Sequence, residues 1–247
     1  MLPGMGANLP RPAMHSVAIE LTAHCNQKCS YCYNDWREDN GAGVDDASTE
    51  QLLGRTRKLL AAFDIDHVTL TGGEPFSRND VWQLLDLLEE HAVGVQIISN
   101  GGLITERIAE RLAGYDVRYV QCTLNGPDAA MHAEHVGAGG HFDKTLRGVK
   151  LLRDHGVPVV GCVVVSRINS PVLGEILDLW HSLGVRSIAL SRFSPAGYAV
   201  EHAATLLSSR GLLMEAFEQA AAKAREHDLR ISCTMPVPPC VFETNDY

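Results

Sequence analysis

The chain has 247 residues, enough for one large domain or two small ones, and a core of that size needs no disulfide staples. Lys and Arg number 21 against 30 Asp and Glu, and the formal net charge of -9 argues against a general nucleic-acid or anionic-membrane surface. Seven cysteines, an odd number with three crowded together, suit metal binding better than disulfides and predict a reducing, cytoplasmic setting. The stretch 1–15 is rich in Gly and Pro, lacks the charged-then-apolar order of a secretory signal, and reads as a flexible leader. Six short runs rich in Val and Ile then read as strands, at roughly 17–21, 68–70, 93–98, 117–124, 157–165 and 185–190. Their near-continuous apolar character predicts cover on both faces, the habit of parallel sheets.

Helical periods fill the gaps. Ser48 with Gln51 reads as a capping box ahead of Leu52, Leu59 and Phe63, and Asn79 as the cap of a helix carrying Val81, Leu84 and Leu88. Thr105 starts another, Phe142 to Leu152 form the next, and Ser170-Pro171 opens one that carries Ile176 and Trp180. A last helix is expected at about 209–227. Six strand–helix alternations predict right-handed βαβ units in one parallel sheet. A full eight-unit barrel typically takes about 250 residues. The expected fold is therefore α/β, a partial (β/α)6 TIM-like barrel with parallel strands over 16–230. The text of 231–247 turns irregular and reads as the start of a further C-terminal unit.

Cys25, Cys29 and Cys32 follow directly on the first strand, separated by three residues and then two. Thiolates are soft ligands for iron–sulfur clusters or zinc. A four-iron cluster normally takes four cysteines, so three leave one iron open to a substrate or cofactor. Two other readings stand beside it: a structural zinc site with His24 as fourth ligand, and a redox pair formed by Cys29 and Cys32.

The run Cys25-Asn26-Gln27-Lys28-Cys29-Ser30-Tyr31-Cys32 resembles the three-cysteine signature of the radical S-adenosylmethionine (SAM) superfamily. Thr71-Gly72-Gly73-Glu74-Pro75 resembles that family's GGEP motif, and Ile98-Ser99-Asn100-Gly101 its ribose-contacting segment. Leu124-Asn125-Gly126-Pro127, with His132 and Phe142 beyond it, resembles a segment of the SPASM/twitch-like subgroup. Pro238-Pro239-Cys240 is similar to the entry into that subgroup's cysteine-rich extension. The resemblance implies a 4Fe-4S cluster on Cys25, Cys29 and Cys32 and reductive cleavage of S-adenosylmethionine to a 5′-deoxyadenosyl radical. It implies hydrogen abstraction from a peptide or small-molecule substrate, peptide modification before cofactor maturation, and an electron donor such as a flavodoxin or ferredoxin. Neither nucleic acid nor membrane is expected as a partner. A non-catalytic zinc- or cluster-binding module and a thiol oxidoreductase are the rivals.

By the same resemblance Tyr31 contacts adenine, and Gly72, Gly73, Glu74 and Pro75 seat the cofactor's ammonium end. Ser99 and Asn100 meet its ribose. Without the cysteines, Gly-Gly and Asn-Gly would read as ordinary turns. Asn125, Ser166 and Arg192 stand at further strand ends, the rim where barrels keep their sites. Two departures are visible. Asn125 replaces the family's usual Asp and does not titrate. Val136 stands where relatives carry an Arg for the cofactor's carboxylate, which leaves three readings: His135 replaces it, Arg192 replaces it, or the contact is missing. Cys122 and Cys162 lie in apolar strands and read as core fillers.

Overall fold

The computed structural model describes residues 11–235 apart from 38, 40 and 138, so most of the expected leader and Cys240 fall outside it. Strands and helices alternate as β1 (Ala13–Glu20), α1 (Thr49–Ala62), β2 (Asp64–Thr71), α2 (Val81–Glu90), β3 (Gly94–Ser99), α3 (Glu106–Leu112) and β4 (Val117–Thr123). They continue through α4 (Ala129–Val136), α5 (His141–Asp154), β5 (Val159–Val165), α6 (Leu173–Ser182), β6 (Ser187–Arg192), α7 (Ala203–Leu206), α8 (Arg210–His227) and β7 (Arg230–Cys233). All seven strands lie in one sheet in chain order, each pair of neighbours parallel. Because the order never reverses, right-handed crossovers lay every helix on the same face, and the sheet curls into a partial barrel.

This is the architecture expected, with one strand more. β7 pairs with β6 through Ile188 and Ile231, inside the stretch read as irregular. Of its four residues only Ile231 is buried, too little periodicity to announce a strand. α4 was not expected either: its inward residues are His132, His135 and Val136, two of them polar in type though buried.

The helix starts follow side-chain chemistry. Ser48 accepts from the Gln51 N–H at 3.2 Å and the Gln51 carboxamide accepts from the Ser48 N–H at 3.0 Å, closing the capping box. The Thr105, Asp128 and Ser209 side chains cap α3, α4 and α8 with the first of these two bonds only, accepting from the Ile108, Met131 and Leu212 N–H groups. α2 begins at Asp80 rather than Asn79, and the Asp80 carboxylate is taken by Arg78 and Thr49.

Cover on both faces does not hold for the middle strands. Val68, Leu70, Val95, Ile97, Val120 and Cys122 are buried against the helices. The opposite, concave face carries Thr69, Thr71, Gln96, Ile98, Tyr119, Gln121 and Thr123, none of them buried. Thr69 and Tyr119 both donate to Gln96 Oε1, at 3.2 and 2.8 Å. One wall of the barrel interior is thus polar and open. Gly54, inside α1, has nothing within 4 Å of where a Cβ would stand. Gly54→Ala is expected to stabilise the chain by about 0.5–1 kcal/mol, read as a higher urea midpoint at unchanged slope.

Candidate active site

The cysteine loop leaves the C-terminal end of β1 and is held from three sides. From the end of β2, Gly73 N–H donates to the Thr22 carbonyl at 2.6 Å and Glu74 N–H to the His24 carbonyl at 2.8 Å. A Cβ on Gly73 would stand 1.9 Å from the His24 oxygen, so only glycine lets the two backbones meet. From α4, the His135 and Val136 carbonyls accept from the Ser30 and Lys28 N–H groups at 2.9 and 3.3 Å. These are last-turn carbonyls with no helical partner. The chain turns away at Gly137, with φ of 74°, under the Lys28 carbonyl. On the third side, Ala199 N–H donates to the Cys32 carbonyl at 3.0 Å.

So held, Cys25, Cys29 and Cys32 line one cleft together with Tyr31, Gly72, Gly73, Glu74, Ser99 and Asn100. Tetrahedral zinc, with Zn–S of about 2.3 Å, would bring its ligand atoms to about 3.8 Å of one another. Among the described residues the group that gathers within 4.8 Å is Asp178, Glu226 and His227, not the thiols with His24. Lys223 Nζ bridges Asp178 and Glu226 at 2.8 and 2.9 Å, which makes that group an ion-pair cluster. Three thiols on one cleft suit a cubic cluster, which takes one thiol per iron.

Glu74 is fully buried and ties the end of β2 to the end of β3. Its Oε1 accepts from Ser99 Oγ at 2.8 Å and Phe76 N–H at 3.3 Å, and its Oε2 from Asn100 N–H at 2.8 Å. Burial pushes its carboxyl up to about 7 against the pull of these donors. The Asn100 side chain turns toward the cysteine loop, donating to Asn26 Oδ1 at 2.6 Å and Cys25 Sγ at 3.7 Å. Tyr31 sits with Cys29 and Asn125 beside its phenol, and burial foremost, then the Cys29 charge, raises its pKa well above the ordinary tyrosine value.

Pro75, Asn125, Ser166 and Arg192 are not among the residues lining this cleft. Pro75 is buried in the turn after Glu74. Asn125 is buried beyond β4: its Oδ1 accepts from Val164 N–H at 2.8 Å, while its Nδ2 faces the Tyr31 phenol. Its N–H donates to His132 Nδ1 at 3.2 Å, and burial lowers His132 to about 4, so the ring is neutral. His135 Nδ1 donates to the Met131 carbonyl at 3.1 Å, which leaves Nε2 to accept from Ser166 Oγ at 2.8 Å. Burial depresses this ring too. A neutral, fully engaged His135 offers no charge in place of an arginine at Val136. Arg192, at the end of β6, keeps a buried Nε without a partner.

Gln27, Thr71 and Ile98, quoted within the motifs but given no role there, also line the cleft, as do Asn34 and Thr123. The signal was there as polar alternation along β2, β3 and β4. Ile98, 36% exposed near the C-terminal end of β3, marks where the concave face lies open. Cys122 and Cys162 are buried, and burial pushes the Cys162 thiol up to about 11. Among the described residues no helix is long and apolar enough to cross a membrane.

A parallel partial barrel that presents three loop thiols and a Gly-Gly-Glu turn at its strand ends defines a cluster-binding α/β protein. The chain belongs to the radical SAM superfamily, whose family model matches residues 19–179. It is 27% identical to the AdoMet-dependent heme synthase of Oleidesulfovibrio alaskensis, over 83% of this chain and 55% of that one. It is 28% identical to the PqqA peptide cyclase of Granulibacter bethesdensis, over 92% of this chain and 58% of that one. The fold matches Streptococcus suis SuiB, crystallised with its precursor peptide SuiA, at a TM-score of 0.75 and 20% identity, over 92% and 50% of the two chains. The chain spans about half the length of these relatives.

Proposed function

We propose that the chain is the radical-generating core of a radical SAM enzyme that modifies a peptide. The observation that carries this is the gathering of Cys25, Cys29 and Cys32 with the Gly72–Gly73–Glu74 turn and the Ser99–Asn100 segment in one cleft. When bound, a 4Fe-4S cluster on the three cysteines supplies the electron that splits S-adenosylmethionine, giving a 5′-deoxyadenosyl radical that takes hydrogen from the substrate.

The protein's part is position. The Gly72–Pro75 turn offers main-chain groups to the cofactor's ammonium, Ser99 and Asn100 stand at its ribose, and Tyr31 packs at adenine. Asn125 and Ser166 brace the adjoining strand ends. Arg192, outside the lining of the cleft but with an unmatched Nε, is the candidate for the cofactor's carboxylate in place of the arginine missing at Val136. The polar concave face of β2 to β4 gives a peptide room to enter. Identity to a peptide cyclase across nearly the whole chain supports the peptide, as does the precursor peptide seated in SuiB, a protein of like fold. Cofactor maturation is the second reading, favoured by the heme synthase match. A flavodoxin or ferredoxin is the reductant of fitting chemistry, in a cytoplasmic setting.

Anaerobic reconstitution with iron and sulfide tests the proposal. A brown protein that releases 5′-deoxyadenosine from S-adenosylmethionine under dithionite is expected, and the triple cysteine-to-serine variant should lose both colour and product. A colourless protein holding stoichiometric zinc overturns it. Peptide against tetrapyrrole substrates then separates the two readings by which one raises 5′-deoxyadenosine release.

A further inference from the structure

The cysteine loop buries a carboxamide that the fold leaves half matched. Gln27, between Cys25 and Cys29, is 4% exposed and lines the cleft. Its main-chain N–H donates to Cys25 Sγ at 3.5 Å, and its Oε1 accepts from the Cys29 thiol at 3.4 Å. Its Nε2 is buried and has no hydrogen-bond partner. A buried donor left unmatched forfeits its hydrogen bond to water, so the position needs an acceptor.

Cluster binding supplies one. A thiol can donate to Gln27 only while it carries its proton, and a cysteine that binds iron is a thiolate, which accepts. A half-turn of the carboxamide exchanges its oxygen and nitrogen within the same outline and turns the unmatched N–H toward sulfur. The carbonyl then takes the unmatched place, and an under-satisfied carbonyl is tolerated better than an orphaned N–H. We propose that in the loaded protein the Gln27 side chain donates an N–H···S hydrogen bond to Cys29, making it a positioning residue that raises the cluster's reduction potential. Asn100 Nδ2, 3.7 Å from Cys25 Sγ, adds a donor at the neighbouring sulfur. Hydrogen bonds to cluster sulfurs favour the reduced, more negative state. The inference rests on the cluster reading of the three thiols.

The test is a redox titration of the reconstituted full chain, followed by EPR without S-adenosylmethionine, in wild type and Gln27→Met. Methionine keeps length and apolar bulk and removes the donor. At the wild-type midpoint the variant should show an oxidised-to-reduced ratio about tenfold higher, a midpoint about 59 mV more negative for one electron. An unchanged midpoint in a loaded variant overturns the inference and leaves the cluster reading intact. A wild type that takes up no iron overturns the cluster reading itself. Should Gln27→Met fail to load, wild type carrying amide-¹⁵N glutamine decides: a weak ¹⁵N coupling in pulsed EPR of the reduced cluster supports the bond, and its absence refutes it.

Discussion

Gly73→Ala is expected to abolish cluster binding while the sheet and its helices remain folded. The added methyl would lie 1.9 Å from the His24 carbonyl oxygen and 2.5 Å from its carbon. Both are backbone atoms on the first residues of the cysteine loop, and no rotamer change moves them away. Relief requires that the loop part from the turn after β2, breaking the Gly73–Thr22 and Glu74–His24 hydrogen bonds. Two such bonds at about 0.5–1.5 kcal/mol each, with overpacking of about 1–3 kcal/mol, put the loss at about 2–6 kcal/mol. At about 2–4 °C per kcal/mol for a chain of this size, the melting temperature should fall by about 5–20 °C. The cleft loses more than the fold does, because the three sulfurs are placed by this contact. Iron content and visible absorbance after reconstitution, beside far-UV circular dichroism, check the expectation. A Gly73→Ala protein that loads iron fully and melts like wild type would show that the two loops need not touch.

The same contact explains what could be read from residues alone. Two adjacent glycines announce that no side chain fits, but not what fills the space. In the fold the chain's own backbone, at the His24 carbonyl, takes the place beside Gly73. The starts of α1, α3 and α8 were legible because each rests on a local pair, as Ser48 with Gln51 or Thr105 with the Ile108 N–H, whereas α2, α5 and α6 begin without a side-chain cap bond. α4 escaped because two of its three buried residues are histidines, and those rings become core only through partners outside the helix, Asn125 just before it and Ser166 far along the chain. Likewise Glu74 reads as a charged turn residue. Only the parallel pairing of β2 with β3 brings Ser99 and Asn100 to it and removes it from water.

Burial makes Glu74 a source of pH-dependent stability whose sign is opposite to that of an ordinary ion-paired carboxylate. Its carboxyl titrates at about 7 in the fold against an ordinary 4.5. Between those values the native chain holds a proton that the unfolded chain has released, so stability falls as pH rises through this window. The contribution is fully present below pH 4.5 and gone above 7, and a gap of this size is worth roughly 3 kcal/mol. His132, lowered to about 4 by burial, works the other way below pH 6.5, since a buried neutral ring loses stability as acid charges it. The wild-type profile therefore sums opposed slopes, and the informative quantity is its difference from Glu74→Gln. In that variant a carboxamide oxygen at the Oε1 place still meets the Ser99 and Phe76 donors. Its NH2 group faces the Asn100 N–H, a mismatch of about 1–3 kcal/mol that does not vary with pH. Urea unfolding of both proteins between pH 5 and 8 should show the variant less stable at the acid end and gaining on wild type as pH rises, by most of roughly 3 kcal/mol. Parallel profiles would mean that the carboxylate is already ionised in the fold, and that three hydrogen-bond donors outweigh its loss of water.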